Sequence, residues 1–530
     1  SPQSLALEWL LSDPISLSED GVTNKVLERY ALAVLYFSTD GPNWEEDLSF
    51  LSANDVCTWN IGLISRDETN LLLQGVHCAQ PSMTAGLLQL SKVGLNGTLP
   101  WELSLLSDLY FLRIDGNSVF GTIPTELGQF PVLQTLNLGS NLLSGTLPTE
   151  LGALTSLEGL VVEENQLTGT LPTELGALTA VESFSVLANN LTGTMPTELG
   201  QWHSLESFEV DFNFLTGTIP TEFGAMTALT WLDINSNAFT GSLPTELGQL
   251  TLLEKLFVST NLLTGKLPTQ LGQLTFLKEL SLRKNSFTGI LPTEIASCLS
   301  LERVLIEENM LTGTLPLEWF NLSALQVLDV SQNYLNGTLP TETGQLTDLI
   351  SLGVNSISLS GTIPTELGRI TGLLGLYAFN NFLIGTLPTE LGQLTALIDL
   401  LLRNNLFTGT LPSELGLLTA TTNFNIGDNA LMGTIPTALG EMTALTRCVV
   451  GGNLLTGTLP TELGQLTALT ILMVDSNLLT GILPTELGNI IAMQQFYALN
   501  NSLTGTFPSE YATWIEMKEL FLDDNRLTGT

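Results

Sequence analysis

Histidines and cysteines, the side chains that most often carry acid–base, nucleophilic and metal chemistry, are few in this chain, and their spacing matches no catalytic or metal-binding pattern. There are two histidines, His77 and His203, and four cysteines, Cys57, Cys78, Cys298 and Cys448. Neither histidine falls in a pattern that pairs it with a serine or cysteine nucleophile. No Cys/His spacing matches a metal site, and the glycines follow a period instead of opening a phosphate-cradling turn. Carboxylates are plentiful, but Glu two residues after a recurring Pro, as at Glu126, Glu150 and Glu174, returns in 16 of 18 instances. A side chain repeated that regularly is scaffold, placed where the start of a turn favours an anion. The chain is read as non-enzymatic, with no cofactor and no metal.

The chemistry that remains is non-covalent recognition, carried by residues that vary where the rest repeats. Three zones follow one another. The first is acidic, with Glu163, Glu164, Glu209, Asp211 and Asp233 as its patch, suited to a cation or a basic peptide. The second carries rare positive charge at Lys255, Arg283 and Arg303, and the third is apolar, with Tyr377, Phe379 and Tyr497. With Trp231 and Phe257 these make the candidate ligand-binding residues, because exposed aromatics and arginines anchor partners. A plainly solvated acidic face and a self-packed aromatic ladder are the competing readings. Sixteen Lys plus Arg against 53 Asp plus Glu give a net charge of −37. That charge repels phosphate backbones and excludes nucleic acid as a partner. No apolar run reaches the ~18 residues of a membrane span.

These residues are positioned by a repeat. Eighteen prolines recur at a spacing of 24, from Pro100 to Pro508, without one insertion or deletion. A Gly stands three residues before each, and an Asn seven before from Asn117 to Asn525, except at Ile357. In the copy Leu133 to Ser156, Leu133, Leu136 and Leu138 enter and form a short strand, and Leu143, Leu147, Leu151 and Leu154 turn inward again. Asn141 is expected to hydrogen-bond the backbone of adjacent coils, and Thr149 and Glu150 to cap and start a short helix. One coil cannot bury this apolar set and stacked coils can, so the chain is expected to be a solenoid. Residues beside the strand leucines then alternate outward onto one sheet face.

The L-x-G-x-[IL]-P segment, LTGTLP at 167–172, resembles the plant-type leucine-rich repeat over roughly residues 87–530. The resemblance implies an α/β solenoid: a right-handed superhelix of about 18 coils of 24 residues, a parallel concave sheet, and short helices or 3-10 turns on the convex side. It also implies a second short strand at L-T-G-T. Residues 1–86 break the period. ALAVLYFSTDGPNW (31–44), CTW and GVHC resemble the helical N-terminal cap of secreted, especially algal (diatom-like), leucine-rich-repeat proteins. That resemblance implies a Cys57–Cys78 disulfide, with two buried thiols as the alternative. Cys298 and Cys448 are read as inert and buried. No matching C-terminal cap follows: the chain stops at Thr530, an end expected to continue in a longer chain or to be covered by another molecule.

Family members act by binding, which implies an extracellular or cell-surface module taking a protein, peptide or polysaccharide ligand on its concave face. Two other readings stay open. One is a self-associating subunit of an extracellular filament or matrix. The other is an ice-binding surface built from Thr-x-Thr, since Thr stands two before the Pro in 15 of 19 coils, as at Thr170 and Thr194. Sequons at Asn96, Asn190, Asn321, Asn336 and Asn500 are candidate glycosylation sites compatible with secretion.

Overall fold

The computed structural model describes residues 1–18, 23–46, 48–67, 70–80 and 83–529, with the backbone alone over 61–67 and 70–73. They form two compact units, Ser1–Thr264 and Gly265–Thr530. Within each, one 24-residue repeat makes one coil.

The coil at 133–156 shows why the sequence folds this way. Leu136, Leu138, Leu143, Leu147, Leu151 and Leu154 are all buried. Leu136 centres the strand Thr135–Asn137, and the second strand, Leu142–Gly145, follows the Asn turn. A one-turn 3-10 helix, Thr149–Ala153, closes the coil. Its cap differs from expectation. Pro148, with φ −64° and ψ 135°, is the N-cap, and no side chain caps the turn. Thr149 instead donates to the neighbouring Glu150 carboxylate at 3.2 Å. Proline's fixed φ supplies the entry geometry, and the threonine only decorates it.

Gly145 is demanded by the coil before it and Gly152 by the coil after it. At Gly169, the counterpart of Gly145, φ is +79°, and a Cβ there would lie 2.7 Å from the Thr146 methyl. A Cβ on Gly152 would lie 2.3 Å from the Glu174 carbonyl oxygen, so the 3-10 turns stack at this distance only over glycine.

The asparagines answer the question of where buried backbone polar groups go. The Asn165 carboxamide NH2 donates to Leu138 O at 3.0 Å, Val162 O at 3.2 Å and Glu163 O at 2.9 Å. Its oxygen accepts from Leu143 N–H at 2.9 Å. One side chain thus ties its own turn to the coil before it.

In the first unit, strands from Phe111–Arg113 to Lys255–Phe257 pair in parallel, each residue opposite the one 24 later. The cap is helical, as expected, and also contains a hairpin. Helices α1 (Pro2–Leu10), α2 (Pro14–Ser18) and α3 (Asn24–Ser38) precede antiparallel strands Asn60–Asp67 and Asn70–Ala79. Strand Thr84–Gln89 then pairs antiparallel with the hairpin and parallel with Phe111–Arg113, which converts one sheet direction into the other. The Cys57–Cys78 disulfide is present, with Cα atoms 5.2 Å apart.

Arg29 is the centre of the cap. It is 2% exposed and makes two 2.7 Å hydrogen bonds to the Asp13 carboxylate. It also donates to Asn54 O and Ser52 O, and its guanidinium lies 5.1 Å and 4.9 Å from the Trp9 and Trp59 rings. Burial pushes the Asp13 carboxyl up, but hydrogen bonds from Ser16 and Arg29 outweigh it and leave the pKa below the ordinary value.

In the second unit the strands run in the same register from Glu279–Ser281 to Glu519–Phe521. Ile357 interrupts the asparagine ladder here as a fully buried core residue. In its coil Ser358 takes a positive φ in addition to Ser356, whose counterparts do so in the neighbouring coils, Ser331 Oγ donates to Asn355 Oδ1 at 2.7 Å, and the Ile357 N–H donates to Asn381 Oδ1 at 3.2 Å. Cys298 and Cys448 are buried free thiols, pushed up to about 11 and about 12 by burial, so neither is a reactive thiolate. Thr530 lies outside the described residues. Among those residues, no helix is long and apolar enough to cross a membrane.

Candidate recognition face

Residues flanking the strand leucines form columns on the open face of each sheet, with members 24 apart in register. In the first unit the columns bring together Glu163, Glu209, Asp211, Asp233, Trp231, Lys255 and Phe257. Glu209 lies opposite Asp233, Trp231 opposite Lys255, and Asp233 opposite Phe257. Ser185 donates to Glu163 at 2.9 Å and Ser207 to Glu209 at 2.7 Å. Asp233 accepts from Asn235 N–H at 3.0 Å. Glu164 sits one residue further round the turn, at φ +49°, and accepts from Ser140 at 2.6 Å.

Asp211 and Asp233 are each only 9% exposed. The Asp211 carboxylate accepts from its own backbone N–H. Among the described residues, neither aspartate has an ion-pair partner. Burial pushes Asp233 up to about 7, with Asp211 and Glu209 adding to the rise. Burial, then Glu209 and Glu163, push Asp211 up to about 6. Glu163 is raised by burial, with Glu209, Glu164 and Asp115 adding to the rise.

Both aspartates are above the ordinary carboxylate value in the folded chain, so folding favours their protonated form. The stability of this unit therefore falls as pH rises from about 4 to 7. Asp233→Asn is expected to stabilise the unit at both pH 5 and pH 8, by roughly 2–3 kcal/mol more at pH 8. Urea denaturation at both values checks this, and an equal effect at the two would refute it.

The aromatics beside the carboxylates are fixed by their neighbours. Lys255 Nζ lies 4.1 Å from the Trp231 ring centroid, and Phe257 meets Trp231 edge-on at 6.3 Å. The Trp231 indole N–H faces Asp233 but is buried without a partner of hydrogen-bond geometry.

In the second unit, Arg283 pairs with Glu307 at 3.4 Å, Lys284 with Glu308 at 3.7 Å, and Arg303 with Glu279 at 3.6 Å. The positive zone is thus largely matched by carboxylates one coil away, a complement visible in sequence as partners 24 apart. Tyr377 donates to Asp399 at 2.9 Å, and burial together with this bond pushes the phenol up to about 12. Phe379 carries Arg403 at 5.2 Å. Tyr497 donates to Glu519 and meets Phe521 edge-on at 4.9 Å. Asp399, Arg403, Glu519 and Phe521 had no periodic signal of their own and show only once the columns are aligned.

The threonine array has a scaffold function. Thr168 donates to Gly145 O at 3.1 Å, and Thr192 and Thr216 repeat the bond to the glycine 23 residues back. The other threonine column rests its methyls over the glycines of the next coil, as Thr170 does at Gly193. The five sequon asparagines, Asn96, Asn190, Asn321, Asn336 and Asn500, are all exposed. Asp55, Cys57 and Cys78 lie close enough to share an ion, but both sulfurs are committed to the disulfide.

A coiled parallel sheet with an asparagine ladder and one 3-10 turn per repeat is a leucine-rich-repeat solenoid. The Leucine Rich Repeat family profile matches residues 132–154, 228–250, 276–298 and 324–346. No curated protein sequence matches the chain. Solved structures do. One is the leucine-rich-repeat ectodomain of the plant membrane receptor kinase GASSHO1/SCHENGEN3 from Arabidopsis thaliana, in complex with CASPARIAN STRIP INTEGRITY FACTOR 2. It is 31% identical over 89% of this chain, with a TM-score of 0.78, and this chain covers 60% of its length. Another is the Arabidopsis receptor kinase HAESA with the peptide hormone IDA and the co-receptor SERK1: 28% identity, 94% of this chain, 90% of that one, TM-score 0.78. A third, the plant peptide hormone receptor RGFR1 with RGF2, gives 26% identity, 88% and 83% coverage, and TM-score 0.77. The chain is similar to plant-type leucine-rich-repeat proteins; the algal likeness of its cap finds no counterpart among these.

Proposed function

We propose that this chain is an extracellular recognition module whose open sheet face takes a peptide or protein ligand, without turnover. One observation carries the reading: half-buried aromatics and nine-tenths-buried carboxylates interrupt a scaffold that is otherwise periodic, and they do so on the sheet face. Its similarity to the ectodomain of a membrane receptor kinase and to receptors solved with peptide hormones supports a ligand-binding role and an extracellular compartment. The disulfide-closed cap fits an oxidising environment. The threonine columns are accounted for by their bonds and contacts between coils, so they lend the ice-binding reading no support.

Selection from a random peptide library against the purified chain tests the proposal. Trp231→Ala and, separately, Tyr377→Ala are expected to weaken selected peptides by about tenfold or more, the size of an aromatic anchor. Phe276→Ala, exposed away from the strands, is the control. Peptides that bind all these variants alike, or a library yielding none, would refute the reading.

A further inference from the structure

The second strands of the second unit carry a feature that the repeat does not call for. Thr usually stands three residues after the ladder Asn, and its hydroxyl donates to the glycine carbonyl 23 residues back, as Thr312, Thr456 and Thr480 do at 3.2, 3.3 and 3.2 Å. Ile384 and Met432 occupy that position in their coils, cannot make the bond, and expose an apolar side chain instead. One position after the Asn, on the same strand face, Phe382, Leu406, Leu454 and Leu478 are exposed as well. Adjacent strands hold these residues in register: Ile384 lies opposite Leu406, Met432 opposite Leu454, and Thr456 opposite Leu478. The result is an apolar strip across five consecutive coils. In the first unit the corresponding column is broken by Gln166 and Asn190 between Leu142 and Phe214.

We infer that this strip is the interface of a two-fold homodimer, the strip of each copy covering that of the other. Its six apolar side chains, each about half exposed, leave on the order of 500 Å² of apolar surface, near the largest patch a monomer ordinarily shows. Two such strips face to face, with their threonine borders, reach the ~1,000 Å² of a specific interface. Charge selects the partner. Residues 382–386, 406–410, 430–434, 454–458 and 478–482 include no ionisable side chain, in a chain of net charge −37. A basic partner gains nothing on such a strip and is drawn to the carboxylates elsewhere. A second copy of this chain is repelled wherever carboxylates would meet, and the neutral strip is the surface it can approach. A groove of about 640 Å³ on the same coils, lined by Thr386, Leu411, Pro412 and Thr434, gives the face relief for a partner's side chains. None of the five sequon asparagines lies between 337 and 499, so glycans at those sites are attached outside the strip. The inference goes beyond the recognition reading and does not depend on it, because it uses no residue of the first-strand face.

Light scattering of the full chain from about 1 to 100 µM, at physiological ionic strength, tests the inference. The mass is expected to rise from one copy to two and to go no further. Raising the salt is expected to tighten the dimer, because screening weakens the repulsion between acidic copies. The decisive variant is Leu406→Glu/Leu454→Glu, expected to weaken dimerisation about a hundredfold or more by placing unpaired charge in the interface. Leu142→Glu/Leu262→Glu makes the same charge change on similarly exposed leucines of the first unit and is expected to leave dimerisation as it was. Ile384→Thr/Met432→Thr returns both positions to the residue the repeat prefers, so it spares the fold, and is expected to weaken the dimer about tenfold. A one-copy mass throughout, a mass that climbs past two copies, or a dimer that loosens with salt overturns the inference. So does unchanged dimerisation in the Leu406/Leu454 and Ile384/Met432 variants, or an equal loss in the Leu142/Leu262 variant.

Discussion

Replacing Arg29 by methionine is expected to destabilise the N-terminal cap by about 3–5 kcal/mol, the cost of leaving a buried carboxylate without its counter-ion. Asp13 and Arg29 have side chains 1% and 2% exposed, so neither charge recovers water when the other is removed. The substitution also strips two hydrogen bonds to Asn54 O and Ser52 O and empties the space between Trp9 and Trp59. Asp13 has a second duty, accepting from Ser16 N–H at 2.9 Å at the start of α2. The double variant Arg29→Met/Asp13→Asn removes the stranded charge and keeps that acceptor, and is expected to recover most of the loss. Hydrogen exchange of the α1 and α3 amides reads the cap alone, which matters because repeat arrays unfold in parts. Equal exchange rates in the unaltered chain and the single variant would sink the argument. The sign with pH is also fixed. Asp13 titrates below its ordinary value, so the pair's contribution is complete above the ordinary carboxylate range and is lost as pH falls through the folded value. This is opposite to Asp233, and acid should therefore loosen the cap while relieving the sheet face.

The second large effect is expected from Asn213→Ala. Asn213 donates to Val186 O at 3.0 Å, Val210 O at 3.2 Å and Asp211 O at 3.2 Å, and accepts from Leu191 N–H at 2.9 Å. Alanine orphans a buried donor and thins the bonding of three carbonyls, for a loss of about 3 kcal/mol. The amide of Leu191 should exchange about a hundredfold faster, since each tenfold is about 1.4 kcal/mol. Unchanged protection at Leu191 would show that the asparagine ladder is ornamental. Ile357 shows that a coil survives without its asparagine, with one additional residue, Ser358, at positive φ.

Most of the fold was legible because its demands recur. Pro at the turn entry, Gly where the backbone takes positive φ or a neighbouring carbonyl approaches, Asn under the turn and Leu in the core are each required once per coil, so the requirement is printed as a period. The exception at Thr149 is instructive. Thr-Glu reads as a helix cap by residue type, yet Pro148 had already fixed the entry, and a 3-10 turn of five residues leaves the hydroxyl nothing to cap. What did not show are contacts made once. Arg29 and Asp13 lie 16 residues apart outside the period, and nothing local marks an arginine whose charge will be buried. The sheet face is intermediate. Its acidic and aromatic residues stood out as departures from the repeat, but their partners, Lys255 over Trp231 and Glu307 beside Arg283, become evident only when residues 24 apart are set side by side.

The reach of the asparagine ladder sets how such a chain can change in length. Each carboxamide bonds its own turn and the coil before it, and nothing further. A segment of 24 residues gained or lost as a block leaves every remaining bond with an equivalent partner, whereas a change of any other size faults the stack at one point. Copy number is therefore the free variable of this architecture, alterable by unequal recombination without a new folding problem. The spacing along the sheet face between the carboxylates and the aromatics of one unit would be adjusted in the same steps, one strand at a time.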